Sequence, residues 1–171
     1  MNNVMIDLET LGTVAGCSIL SIGAVFFDDK YIGKEFYTSI YRASNQEYGL
    51  YEDARTLEWW EKQSIDAKKV FSEEKLSLPD ALTELSKFVL LFGDSVQVWG
   101  NGSDFDNAML QCAYKAIKQE TPWKFWNNRC YRTLKNLRPE IDIQRIGTHH
   151  NALDDAKTQA IHAIAILNSI K

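Results

Sequence analysis

Apolar and polar positions alternate, or nearly so, over three early stretches. Val4–Thr10 is a short apolar run broken by Asp7 and Glu9. Ser18–Phe27 is a longer run that stops at Asp28 and Asp29, and Gly33–Tyr41 alternates through Phe36, Thr38 and Ile40. A period of two marks a strand, and the short links predict an antiparallel meander. Arg42–Asp53 is polar, without period, and reads as a loop. Beyond it the period lengthens. Arg55–Gln63 predicts a helix carrying Trp59 and Trp60. Pro79 suits the first turn of a second helix, with Leu82, Leu85, Val89 and Phe92 on one face and Gly93 as its stop. Ser95–Trp99 predicts a fourth strand, ended by Gly100-Asn101-Gly102. A helix from about Asp104 follows, with Phe105, Met109, Cys112 and Ala116 inward. A short strand near Asn128–Tyr131 leads into a helix that ends before Pro139, and Leu134, Leu137 and, beyond the helix, Ile141 read as the core stripe of this segment. The last helix runs from Asn151 almost to the end, with Leu153, Ala156, Ala160, Ile164 and Leu167 inward. Three strands followed by strand–helix units predict an α/β domain with a mixed five-stranded sheet, three antiparallel strands and then parallel ones, flanked by helices. No repeat, linker or low-complexity tract interrupts residues 1–171, so a single domain is expected.

Composition narrows the function classes. At 45% hydrophobic and 25% charged, the chain is an ordinary globular sequence. A net charge of −4 argues against a broad basic surface for long duplex nucleic acid, but not against local contacts made by metals and a few arginines. Cys17, Cys112 and Cys130 are odd in number and far apart, which suits reduced thiols rather than disulfides or zinc. There is no run of transmembrane length and no basic n-region, so a cytoplasmic protein without membrane contact is expected.

The chemistry lies in the acids. Asp7 and Glu9 are two apart on a strand and project side by side, while Ile6 and Leu8 project the other way. Such a pair is costly unless one face is wet or a hard cation cancels the repulsion. Asp106 follows a strand and opens a helix, where an acid also serves as a cap. Gly100-Asn101-Gly102 lacks the third glycine of a dinucleotide loop. In His149-His150-Asn151-Ala152-Leu153-Asp154-Asp155, Asn151 is a good N-cap, with Asp154 three residues on in a capping-box position. Asp154 is then expected to reach back to the cap's backbone N–H. His150 falls just outside the helix, and Asp155 is the first acid free to face inward.

Asp7-x-Glu9, Phe105-Asp106 after a strand, and His150-x-x-x-x-Asp155 resemble, in order, the three motifs of the DEDDh 3′–5′ exonucleases, which have a ribonuclease H-like fold. The wider text, in Ile6–Thr13, Ser18–Val25, Trp99–Gly102 and Asn151–Ala156, is similar to the branch of phage exodeoxyribonuclease VIII-like proteins and the RNase AS type of exoribonuclease. The resemblance covers nearly the whole chain, and its His-x-Ala-Leu-Asp-Asp pattern favours His150 over His149. It implies two Mg2+ or Mn2+ ions. Asp7, Glu9 and Asp155 would hold one, and Asp7 and, through water, Asp106 the other. His150 would act as general base, and 5′-mononucleotides would leave from single-stranded 3′ ends of DNA or RNA. Leu8, Thr10, Leu11, Gly12 and Asn101, within the matching stretches, are expected to bind substrate. Trp59 and Trp60 are neighbours on a helix and cannot both face the core, so one of them is expected to be exposed and to stack on a base, with Trp60 the candidate, and Arg129 and Arg132 are expected to contact substrate from the basic segment Lys124–Arg145. Relatives are often homodimers, and the aromatic-rich content permits one. The rival readings are an RNA-restricted trimming enzyme and a catalytically silent module that binds nucleic-acid ends.

Overall fold

The computed structural model describes residues 1–170. Strands β1 (Asn3–Thr10), β2 (Ile19–Phe27) and β3 (Ile32–Ser39) form the antiparallel meander. β4 (Gln97–Gly100) adds parallel to β1 and β5 (Asn128–Cys130) parallel to β4, giving the order β3-β2-β1-β4-β5. The helices are α1 (Arg42–Glu47), α2 (Ala54–Glu61), α3 (Leu78–Val89), α4 (Asp106–Ala116), α5 (Tyr131–Asn136) and α6 (Ala152–Ser169). None of these is long and apolar enough to cross a membrane.

β1 is the central strand, covered on both faces. Val4, Ile6 and Leu8, with Ile22, Ala24 and Phe26, pack against Leu82 and Leu85 of α3 and Met109, Leu110 and Ala113 of α4. Met5, Val25, Phe27 and Trp99 face the other way, against Leu134 of α5 and Ala156, Ala160, Ala163 and Ile166 of α6. Alternation therefore sends Asp7 and Glu9, which follow Met5, toward α6. Gly23 pairs with Asp7 across β1 and β2. A Cβ at Gly23 would lie 2.2 Å from the backbone of Ala152 and Leu153, so glycine lets the first turn of α6 rest directly on the sheet. That close approach brings Asp155 over β1.

Several expected elements differ in detail. Arg42–Glu47 is helical, not loop. Its polar residues are internal fasteners: buried Asn45 bonds both the N–H and C=O of Ile19 at 3.0 Å, and Ser44 Oγ accepts from Leu78 N at 2.9 Å. Phe92 leaves the α3 stripe and is 40% exposed, because the chain tightens into a 3-10 turn at Leu90–Phe92. On α4 the buried line is Met109, Leu110, Ala113 and Tyr114, with Cys112 and Ala116 on its flank. Tyr114 fits inside because its hydroxyl donates to Leu82 O at 2.9 Å. α5 ends at Asn136, so Leu137 is exposed. On α6 the alanines form the contact line, while Leu153, Ile164 and Leu167 stand half-buried at its shoulders. Small side chains permit the close packing, and larger ones would hold the helix off.

Candidate active site

The C-terminal half of β1 opens into a cleft of about 800 Å³ lined by, among others, Asp7, Glu9, Trp59, Asn101, Arg145, His150 and Asp155. Carboxylate oxygens of Asp7, Glu9 and Asp155 lie within 4.8 Å of one another. Asp7 accepts from Gln159 Nε2 at 2.6 Å, and Glu9 has no hydrogen-bond donor among the described residues. Gln159 stands one turn beyond Asp155 on α6, a spacing that marks it as a neighbour on the same face. It is a site residue the sequence reading passed over.

Asp106 sits at the start of α4 and is held differently. Its Oδ1 accepts from Leu8 N at 3.1 Å and its Oδ2 from Asn101 N at 2.6 Å. Both oxygens are thus occupied by backbone donors that tie α4 and the β4 loop to β1. Burial pushes its pKa to about 6, against the lowering effect of those N–H groups and of Arg132. Asp106 lies outside the three-acid cluster.

His150 arrives from the segment that enters α6. Its φ of 63° is left-handed, unusual for a non-glycine residue, and its N–H donates to Asp155 Oδ2 at 3.1 Å. Asp155 also accepts from the Arg145 guanidinium. The imidazole stacks on His149 with centroids 3.8 Å apart and meets the edge of Trp59 at 4.7 Å. Burial, and then the His149 charge, lower its pKa from the usual histidine value. Asn151 caps α6 as expected, accepting from Asp154 N at 3.1 Å. Asp154 does not reach back to the cap's own N–H: its Oδ2 accepts from Thr148 N at 2.7 Å and so staples the loop. Asp154 and Asp155 leave the helix in different directions and do different jobs.

The acids are electrostatically unfinished. A like-charged pair about 5 Å apart costs roughly 3 kcal/mol at an effective dielectric of about 20. Burial, then the charges of Asp106, Glu9 and Asp155, hold the Asp7 pKa well above the carboxylate range. Glu9 is pushed to about 8 by burial, then by Asp155 and Asp106, with Arg145 pulling the other way. One guanidinium does not balance three carboxylates. Beside them the buried Gln159 Oε1 lacks any hydrogen-bond partner. Crowded oxygen donors short of positive charge fit hard divalent cations such as Mg2+ or Mn2+.

The expected substrate residues divide. Leu8, Thr10, Gly12, Trp60 and Asn101 line the cleft. Leu11 is fully buried beside Leu20 and Trp60. Trp60 is only 2% exposed, and its Nε1 donates to Thr10 O at 2.9 Å, which makes it a fastener of the β1 end. Trp59, 40% exposed, offers its ring to the cleft instead. Adjacent helical positions point about 100° apart, so the pair splits between core and cleft. Arg132 donates to Asn101 O at 2.7 Å at the margin, and Arg129 bonds the carbonyls of Trp126 and Asn128 outside the cleft.

A family model described as the 3′–5′ exoribonuclease Rv2179c-like domain matches residues 2–167. A protein named exodeoxyribonuclease from Enterobacteria phage T4 is 24% identical over 160 residues, covering 78% of this chain and 70% of its own length. The nuclease domain of 3′hExo, described as a DEDDh family member bound to rAMP, superposes with a TM-score of 0.64 at 13% identity, over 98% of this chain and 92% of that one. S. pombe Pop2p in its Mg2+- and Mn2+-bound form superposes at 0.62 and 19% identity, over 96% and 82%. These structures share the fold, the mixed sheet of ribonuclease H-like nucleases.

Proposed function

Because the chain belongs to the Rv2179c-like 3′–5′ exoribonuclease domain family, with the fold of DEDDh nucleases, we propose that the cleft around Asp7 hydrolyses the last phosphodiester of single-stranded nucleic acid with the aid of two divalent cations. The observation that carries this reading is the meeting of Asp7, Glu9 and Asp155 within 4.8 Å, beside a histidine held on Asp155 by its own N–H.

Asp7, Glu9 and Asp155 would hold Mg2+ or Mn2+, and Asp106 would act from behind, through water. The bound cations supply Lewis-acid polarisation of the phosphate and activation of the attacking water. The protein supplies position and proton transfer. Burial and His149 lower the His150 pKa, which favours the neutral imidazole able to accept a proton at a ring nitrogen. The left-handed turn and the Asp155 bond aim it into the cleft, and the edge of Trp59 limits its swing. Arg145 lies on Asp155 and is free to turn toward substrate phosphate once a cation takes its place. Residues 1–171 act as one exonuclease domain in this reading, alone or as a homodimer. The phage relative is named a deoxyribonuclease and the family a ribonuclease, so the sugar is decided by assay.

A gel assay tests it. Strands of DNA and RNA labelled at the 5′ end are incubated with Mg2+, Mn2+ or EDTA. The expected result is a ladder shortening from the 3′ end on at least one sugar, stopped by EDTA or by a 3′-phosphate. Labelled mononucleotide released at the outset would overturn the direction. Binding without cleavage under either metal would favour a silent end-binding module.

A further inference from the structure

The turn ahead of β5 carries an unexplained surface. Phe125 is 72% exposed and Trp126 is 62% exposed, and their rings touch each other at 4.9 Å. The turn beneath them is firmly held. Asn127 is buried and donates to Asp94 O at 3.3 Å, Trp123 Nε1 donates to Asn128 Oδ1 at 2.8 Å, and Arg129 Nη1 donates to Trp126 O at 2.8 Å. Two large rings are thus presented to solvent by a rigid mount.

The sequence around it, between Glu120 and Glu140, is basic. From Thr121 to Arg138 there are five cations, Lys124, Arg129, Arg132, Lys135 and Arg138, and no acid, in a chain of net charge −4. Among the described residues none of the five makes a salt bridge. An exposed aromatic pair beside a run of cations that no salt bridge engages matches bases and phosphates, not an apolar protein face.

The surface also leads to the cleft. Arg129 is in register with Trp99, and Trp99 with Met5, so Arg129 lies on the sheet face that carries Asp7 and Glu9. It stands two strands away and two residues back, about 10 Å across and about 7 Å along. Arg132 and Lys135 follow on α5 at a spacing of three, which places them side by side. Arg132 holds Asn101 O, and Lys135 lines the cleft.

We infer that Phe125 and Trp126 form a stacking platform for bases upstream of the 3′ end, with Arg129, Arg132 and Lys135 tracking the phosphates between platform and cleft. The inference rests on the exonuclease reading and adds to it a second binding region that makes catalysis sensitive to strand length.

The experiment compares wild type with the double variant Phe125→Ala/Trp126→Ala. Cleavage of a dinucleotide and of a twelve-nucleotide single strand is measured with Mg2+. Binding of the labelled longer strand is measured by fluorescence anisotropy in EDTA. Both rings are largely exposed, so the variant is expected to keep its circular dichroism. It should lose about tenfold in kcat/KM and in affinity on the longer strand, with the dinucleotide rate unchanged. Unchanged turnover and binding of the longer strand would overturn the platform. So would a shift from dimer to monomer in sedimentation with length dependence intact, which would assign the rings to contacts between copies. If wild type cleaves no strand, the exonuclease reading fails, and the EDTA binding arm still decides the platform.

Discussion

Asp7 and Glu9 ride on the central strand of the sheet, whereas His150 rides on a stretch with no regular structure. The strand acids are buried and paired across to Gly23 and Ser21 of β2, and their neighbours raise the cost of their charge. Their geometry is bound to the fold, and their electrostatics await a cation. The histidine shows the reverse. Its backbone takes a left-handed turn and its loop hangs on a few bonds, from Asp154 to Thr148 and from Asp155 to His150. Burial and the neighbouring His149 lower its pKa. A strand thus holds the crowded charges, and a segment outside the regular elements holds the histidine proposed to accept the proton. This division suits a site that must keep ligands fixed while substrate enters.

The strand half is broken most sharply by Asp7→Asn. Hydrolysis in Mg2+ should fall by more than about 10²-fold. The melting temperature in EDTA should rise, since one crowded charge is gone. Near-normal turnover by the folded variant would remove Asp7 from the site.

On the loop half, His150→Ala should lower the rate by about 10²-fold while Mn2+ binding, measured by calorimetry, stays intact. In wild type the rate should fall as pH drops through the imidazole pKa, because the protonated ring cannot accept a proton. A variant that loses Mn2+ binding as well would place His150 among the ligands.

Linkage sharpens the contrast without mutation. Glu9 has its folded pKa raised to about 8 from an ordinary value of 4.5. The folded state therefore holds that proton more tightly, and the associated stability is present at low pH and lost as pH rises between those values. In EDTA the melting temperature should decline from about pH 5 to about pH 9, and Glu9→Gln should flatten the decline. A pH-independent melt would show that the acids are not electrostatically strained.

The smallest effect is expected for Asp154→Ala. Loss of the Thr148 bond should cost about 1 kcal/mol, read as a lower melting temperature, with most activity kept. An inactive Asp154→Ala beside an active Asp155→Ala would exchange their roles and move the base to His149.

Much of this was legible in one dimension. Alternation along Val4–Thr10 put Asp7 and Glu9 on one face and Ile6 and Leu8 on the other, and the structure has that arrangement. Asn151 signalled the start of α6, and the split between Trp59 and Trp60 follows from helical rotation. Where polar residues turned inward, the pattern misled. Ser44 and Asn45 look like loop residues but satisfy buried backbone groups, and Tyr114 replaces Cys112 on the inner line because its hydroxyl finds a carbonyl.

The sequence by itself determined the type of every strand and of the longer helices, though not of α1, together with the faces of the strands and the cap of α6, because these follow from local periods of two and 3.6 residues and from the chemistry of a few side chains. Only the tertiary structure decided which distant groups meet. Gln159 bonds Asp7 across 152 positions, and Asp106 holds the N–H of Leu8 across 98. Arg145 lands on Asp155, and the first turn of α6 settles on Gly23. Such meetings depend on strand order and on how closely a helix rests on a sheet, and neither leaves a mark in the neighbouring residues.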